Sequence, residues 1–275
     1  MKKLSFIFAM VLAGSMAMAQ AGKTTWITQS GNGNLADVKQ TAGLDNYGYA
    51  ANLEPNSIFA TQSGNSNTLN TEQRGASNFI ELTQGGEKNE ATMKQFTLVA
   101  ASSNTAVINQ SGNKNIADLL QKEDPLVFPD DSKNKATATQ SGTLGTYNLK
   151  QGGDEWAPTA EQSLTQSGTK NMAEIKQVGI SIVSEINQSG NLNTAELDQL
   201  GTQGGRGTAI SYSSQTGTSG LIDIDQYYDA GKLVANSVQN GVSNTTDIEQ
   251  KSNHILNVTA MQLGADIITI DQIGF

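Results

Sequence analysis

One histidine, His254, and no cysteine leave this 275-residue chain almost without the means of nucleophilic catalysis. A nucleophile needs a base within hydrogen-bond reach, and nitrogen or sulfur metal sites need several such ligands. His254 therefore reads as a surface residue. Acids are the next candidates. Glu196/Asp198, Asp223/Asp225 and Asp247/Glu249 are paired two residues apart. Such pairs could exchange protons or hold calcium. Their recurrence reads instead as a solvated face whose gatekeeper charges slow premature aggregation. Stacked on one another, these acids would crowd like charge and raise each other's pKa. A polysaccharide-degrading β-helix would need a local cluster of acids with basic partners, and the only two arginines, Arg74 and Arg206, stand far apart. No enzyme activity, cofactor or metal is expected.

The chemistry that remains is that of the side-chain amide. Glutamines recur in pairs eleven residues apart: Gln29/Gln40, Gln62/Gln73, Gln84/Gln95, Gln110/Gln121, Gln140/Gln151, Gln166/Gln177, Gln188/Gln199, Gln215/Gln226 and Gln239/Gln250. A tenth pair, Gln262/Gln272, is one residue shorter. Two residues after each first glutamine stands a glycine: Gly31, Gly64, Gly86, Gly112, Gly142, Gly168, Gly190, Gly217, Gly241 and Gly264. Asparagine follows five residues after the glutamine in seven repeats, as Asn34, Asn67, Asn89, Asn115, Asn171, Asn193 and Asn244. Self-similarity of this kind marks a repeat architecture.

Each repeat positions these amides on strands. In residues 27–40, Ile27 and Gln29 share one face of an extended segment, and Gly31 to Gly33 reverse the chain. Asn34, Ala36, Val38 and Gln40 then share one face of a second strand, opposite Leu35, Asp37 and Lys39. The same alternation sets Asn193, Ala195, Leu197 and Gln199 against Thr194, Glu196 and Asp198. A period of two means strands rather than helices. The expected units are 27–40, 60–73, 82–95, 108–121, 138–151, 164–177, 186–199, 213–226, 237–250 and 260–272.

Spacing between pairs is not constant. It is 11 residues from Gln73 to Gln84 but 19 from Gln121 to Gln140 and 22 from Gln40 to Gln62. One edge is fixed and the other tolerates insertions. Pro55, Pro125, Pro129 and Pro158 all fall in the variable connectors, as expected if the arc units are strands paired on both sides. Trp156 and the acidic stretch Lys122 to Asp131 lie there too, and read as surface loops. Inward amides are costly to bury unpaired, but stacked in register at about 4.8 Å each would bond to its copies above and below. The expectation is an all-β solenoid of about ten strand-arc-strand rungs, with two facing parallel sheets.

Residues 1–19 stand apart. Lys2 and Lys3, the apolar stretch Leu4 to Ala13 and the Ala17-Met18-Ala19 site form a secretory signal peptide. Removal of those two lysines takes the net charge from −9 to −11, so nucleic acid is an unsuitable partner. No later run is apolar enough to span a bilayer. The first repeat begins near Trp26, leaving no long targeting segment, and Ile270 to Phe275 still follow strand pattern. Open ends are expected, and with them polymerisation; the alternative is a capped solenoid acting as a soluble adhesin or matrix-binding protein.

Residues 29–40, 110–121, 166–177 and 188–199 read Q-S-G-N-G-N-L-A-D-V-K-Q, Q-S-G-N-K-N-I-A-D-L-L-Q, Q-S-G-T-K-N-M-A-E-I-K-Q and Q-S-G-N-L-N-T-A-E-L-D-Q. They resemble the curlin repeat of bacterial curli fibres, Q-x-G-x-x-N-x-A-x-x-x-Q, and the likeness extends over about residues 27 to 272. Gly145 and Gly220 depart from it by replacing the asparagine. The resemblance implies a subunit that leaves through the periplasm and a curli-type outer-membrane secretion pore. It then polymerises with itself, and with a related curlin subunit, into extracellular amyloid of the biofilm matrix. It further implies that the glutamines and asparagines above are the stacking positions.

Overall fold

The computed structural model describes residues 23–41, 56–75, 77–97, 103–122, 133–152, 160–177, 182–199, 208–228, 232–243, 245–252, 256–262 and 267–273. The signal-peptide reading, His254, Arg206, Trp156 and the four prolines fall outside these residues.

Among the described residues twenty strands, β1 to β20 in chain order, form two ten-stranded parallel sheets. Odd-numbered strands make one sheet and even-numbered strands the other, each strand pairing with its counterpart in the next rung. The first rung is β1 (Lys23–Ser30) and β2 (Leu35–Thr41); the last is β19 (Leu256–Gln262) and β20 (Ile267–Ile273). This is the β-solenoid expected from the repeats, and among the described residues no hairpin pairs the two strands of a unit. Register follows the glutamines: Gln29 lies beside Gln62, and Gln40 beside Gln73. The first strand of a rung begins earlier than the glutamine spacing places it. The second rung opens at Asn56, four residues ahead of the expected Ala60.

Alternation of inward and outward side chains is clean. In Asn56–Asn65, Ile58, Ala60 and Gln62 are buried while Phe59, Thr61 and Ser63 are exposed. Across the core, positions equally far from the arc complement each other in size. Buried Ala60 belongs with Leu69, Leu82 with Ala91, Ile108 with Ala117, Ala138 with Tyr147, Leu164 with Ala173, and Ile186 with Ala195. One arc length sets one sheet separation, close to the usual ~10 Å, so in these six rungs one large side chain meets one small one at this level. The large residue stands on the second sheet at Leu69 and Tyr147 and on the first at Leu82, Ile108, Leu164 and Ile186. Tyr147 is the extreme case: its phenol is buried without a hydrogen-bond partner, and burial pushes its pKa up.

The C-terminal rungs are more polar inside. The column that runs Ile58, Ile80, Ala106 and Ala136 continues as Gln162, Ser184 and Ser211. The side-chain polar atoms of those last three are buried and unpaired, as are the hydroxyls of Ser213 and Ser237. Each such group costs roughly 1–3 kcal/mol relative to a paired one, so packing is less favourable there than in the early rungs.

Complementarity across the core is directly testable. Ala138→Leu places a second large side chain opposite Tyr147 and should destabilise by about 1–3 kcal/mol. The double change Ala138→Leu with Tyr147→Ala transposes the pair and should recover most of the loss. The guanidinium concentration that dissolves the folded protein reads both. A double variant no more stable than the single one would show that the pair does not share a layer.

Candidate functional site

Two files of glutamine amides run through the interior at the stacking distance. On the first sheet, Gln29 Nε2 donates to Gln62 Oε1 at 2.5 Å, Gln62 to Gln84 at 2.7 Å, and Gln84 to Gln110 at 2.8 Å. Gln110, Gln140 and Gln166 continue it to Gln188, at 2.8, 3.0 and 2.8 Å. On the second sheet Gln40, Gln73, Gln95 and Gln121 each donate to the next, ending on Gln151, at 2.7 to 2.9 Å. Beyond that the sense reverses. Gln199 donates back to Gln177, Gln226 to Gln199 and Gln250 to Gln226, at 3.1, 3.0 and 3.3 Å. At the reversal, Gln151 and Gln177 turn their nitrogens to the carbonyls of Lys135, Ala160 and Glu161.

The second amide hydrogen has its own partner. Gln62 Nε2 reaches the Leu35 carbonyl at 3.1 Å, Gln84 that of Thr68 at 3.1 Å and Gln110 that of Glu90 at 3.0 Å. On the other sheet Gln95 reaches Phe79 O at 3.0 Å and Gln121 reaches Thr105 O at 3.1 Å. Each of these five glutamines thus ties its rung to the next and its own sheet to the facing one. Two donors and one acceptor of the same amide are satisfied at once.

Asparagines at the arc behave differently from the expected amide-to-amide stack. Asn34 Oδ1 accepts the backbone N–H of Asn67 at 2.9 Å, and Asn67 Oδ1 accepts that of Asn89 at 3.0 Å. Asn67 Nδ2 donates to the Ser63 carbonyl at 2.8 Å and to Gly86 O of the next rung at 3.1 Å. Asn89 and Asn115 repeat the pattern on Gly85 and Ser111, and Asn171 and Asn193 bond Ser167 and Ser189. The side chain is one methylene shorter than glutamine, and at the arc the backbone turns its own polar groups inward. Asparagine meets those first. Gly145, which replaces it in one rung, still donates its N–H to Asn115 Oδ1 at 3.0 Å.

The arc itself depends on glycine. Gly31, Gly64, Gly86, Gly112 and their successors up to Gly241 have φ between 94° and 133°. A Cβ on any from Gly31 to Gly217 would lie 1.7 to 2.1 Å from the carbonyl oxygen of the next rung's glycine. A second left-handed residue follows two positions later. It is Gly33 in the first rung but Ser66, Lys88, Lys114, Leu144, Lys170, Leu192, Ser219 and Ser243 thereafter. These residues accept a conformation costing roughly 1–2 kcal/mol. In return the backbone ladder runs unbroken round the bend, as from Ser66 N to Asn32 O at 2.8 Å and Lys88 N to Asn65 O at 2.9 Å.

A further ladder escaped the sequence reading. Asn56, Asn78, Asn104 and Asn134 stack at the far edge of the first sheet, all buried. Asn78 Nδ2 bonds Asn56 Oδ1 at 3.1 Å, Asn104 Nδ2 bonds Asn78 Oδ1 at 3.0 Å and Asn134 Nδ2 bonds Asn104 Oδ1 at 2.9 Å. Each stands six residues before a first glutamine, a spacing visible in the sequence. Asn244 and Gly264 lie outside the described residues, as do the side chains of Gln215, Gln239 and Gln262. Gln272 is half-buried in β20 and in register with Gln250.

A family model described as the curlin associated repeat matches residues 64–96. That segment holds the arc glycines Gly64 and Gly86, Gln84 of the first file, Gln73 and Gln95 of the second, and the arc asparagines Asn67 and Asn89. Over that segment the chain is similar to the curlin associated repeat. No curated protein matches it.

On the outer face, the paired acids do stack. Glu196 lies beside Asp223 and Asp223 beside Asp247; Asp198 lies beside Asp225 and Asp225 beside Glu249. Half-buried Asp223 is pushed up to about 6, first by burial and then by Asp225, Glu196 and Asp247. Asp225 is raised as well, again first by burial, then by Asp198, Glu249 and Asp247, with Lys251 opposing. Burial thus outranks the like-charge crowding expected from sequence. The file begins at a neutralised point, where Lys176 Nζ meets Asp198 at 3.2 Å. Among the described residues no group of three or more His, Cys, Asp or Glu is arranged to hold a metal.

Two outcomes follow from this geometry. Gln95→Leu removes the bonds to Gln73, Gln121 and Phe79, and should destabilise by about 1–3 kcal/mol for each buried partner left unmet, whereas the exposed neighbouring change Lys94→Ala should be nearly silent. Gly112→Ala should be worse than either, because its Cβ would meet backbone rather than a side chain that can move. Denaturant titration ranks the three, and equal effects would mean that the inward file is not what holds the stack. The acids give a pH dependence. A carboxyl whose folded pKa lies above its ordinary 3.8 binds more protons folded than unfolded. The folded form is then most favoured below about pH 4, loses stability as pH rises to about 6, and levels off above. More denaturant should be needed to dissolve it at about pH 5 than at pH 7.5, and Asp223→Asn with Asp225→Asn should flatten that difference.

Proposed function

We propose that this protein is a secreted structural subunit of curli-like amyloid fibres, assembling on itself at the cell surface for adhesion and biofilm matrix. The role is structural rather than catalytic. Its support is the parallel in-register stack: each rung satisfies the amides and backbone of the rung beside it. Among the described residues, β1 and β2 at one end and β19 and β20 at the other have a sheet neighbour on one side only. Such edges template further strands. In this reading residues 1–19 direct export, residues 20–275 form one solenoid, and the expected partners are further copies, a related curlin subunit and a curli-type secretion pore. Among the described residues no helix is long and apolar enough to cross a membrane.

Residues 20–275, diluted from denaturant, should form fibres whose diffraction shows the cross-β spacings of roughly 4.8 and 10 Å. A protein that stays monomeric by light scattering for days at tens of micromolar would overturn the assembly reading. It would favour a soluble adhesin instead.

A further inference from the structure

One outward column of the second sheet is polar in charge along the stack. Its first six rungs carry Lys39, Glu72, Lys94, Leu120, Lys150 and Lys176, and every described rung after that carries an acid, from Asp198 to Asp271. Among the described residues the column therefore starts on a lysine and finishes on an aspartate. Lys39 bonds Glu72 at 3.1 Å but remains 64% exposed, open to a second carboxylate. The end rungs are also incomplete in their apolar contacts. Inward Ile27, Ala36, Val38 and Ile270 are only half-buried, whereas their interior counterparts Ala60, Leu69 and Ile248 are fully buried. On the outer face Leu35 is 59% exposed and Ile267 78% exposed.

We propose that the last rung of one copy stacks on the first rung of a second copy in a single register, set by an ion pair between Asp271 and Lys39. This rests on the assembly reading and adds which strands meet and what selects their alignment. β20 lies along β2, and β19 along β1. In that register Ile267 meets Leu35, Ile270 meets Val38, Asp271 meets Lys39 and Gln272 extends the file onto Gln40. Lys39 then sits between Asp271 and Glu72, and the acid column ends on a cation rather than another acid. In the next column Asp37 meets neutral Thr269, with Asn70 on its other side. A slip of two residues one way sets Asp271 against Asp37. A slip the other way sets Asp271 against Thr41 and Ile267 against Asp37. Both slips keep the inward pattern, since the side-chain period is two. Outward charge is what discriminates among them.

The chain has no cysteine, so a bridge can report the junction. Leu35→Cys with Ile267→Cys puts two thiols on facing strands whose Cα atoms would stack about 4.8 Å apart, within the roughly 4.4–6.8 Å that a disulfide spans. Within one copy the two positions are nine rung spacings apart, roughly 43 Å, so any bridge is between copies. Oxidised fibres of this variant should run on a non-reducing gel as a ladder of dimers, trimers and higher multimers. Fibres of Leu35→Cys with Thr269→Cys, two residues out of register, should run as monomer. A ladder from the second pair and none from the first would overturn the register. Separately, Asp271→Lys should slow elongation several-fold at low salt, with the difference shrinking at high salt, and Asp271→Asn should lie between it and the parent. Elongation of Asp271→Lys at the parent rate in low salt would remove the ion pair from the proposal. A parent chain that forms no fibre overturns the assembly reading and this junction with it; a parent that does, with the wrong bridges, overturns the junction alone.

Discussion

A buried amide has two donor hydrogens and an oxygen to satisfy, and at a spacing near 4.8 Å the nearest partner is its own copy in the adjacent rung. That demand governs this molecule. It fixes the register, because a glutamine displaced by one residue would face solvent and leave two neighbours unmatched. It makes the strands parallel, since only equivalent positions can repeat at that distance. It holds the length from first to second glutamine almost constant, because both files must close through the same arc. Insertions are then confined to the connectors, where no file passes.

The outer faces follow a different rule. Side chains there also stack at the rung spacing, and where they carry charge the stacking is unfavourable unless signs alternate or water intervenes. Lys39 with Glu72 and Lys176 with Asp198 alternate. The rungs that carry Asp223 and Asp225 do not. Those same C-terminal rungs hold buried serines without partners, so both faces of the late rungs are less favourable than the early ones. The early rungs add the file from Asn56 to Asn134, which the late rungs replace with Ala160, Ile182 and Ala209. The stack is uniform in backbone and uneven in stability.

The solenoid and the inward glutamines were legible because both are periodic: Gln29, Gln62 and Gln84 announce their equivalence by type. What was missed lay where equivalence and identity part. The file of Asn56, Asn78, Asn104 and Asn134 covers only part of its column, so the period is broken by the later apolar residues. The left-handed position after the arc glycine is held by serine, lysine or leucine, and only the geometry of the bend reveals a shared conformation. Asn34 and Asn67 were read as small glutamines. Their shorter reach brings them to backbone groups that a pattern of side-chain types does not display. For Asp223, sequence shows the neighbouring charges but not the depth of burial, and burial is the larger cause.

The pairing of large with small across the core has a consequence for how such an array can lengthen or change. Ala60 with Leu69 and Leu82 with Ala91 keep the same combined volume although the bulky residue has changed sides. A duplication that copies a whole rung carries a matched pair with it and needs no adjustment in its neighbours. A single substitution breaks a match and must wait for a second one nine residues away in the same rung, on the other sheet. Rungs are therefore the natural units of inheritance here, and the side that bears the bulk is a label that persists through each copying event. Tyr147 beside Ala138 is the most distinct of these labels.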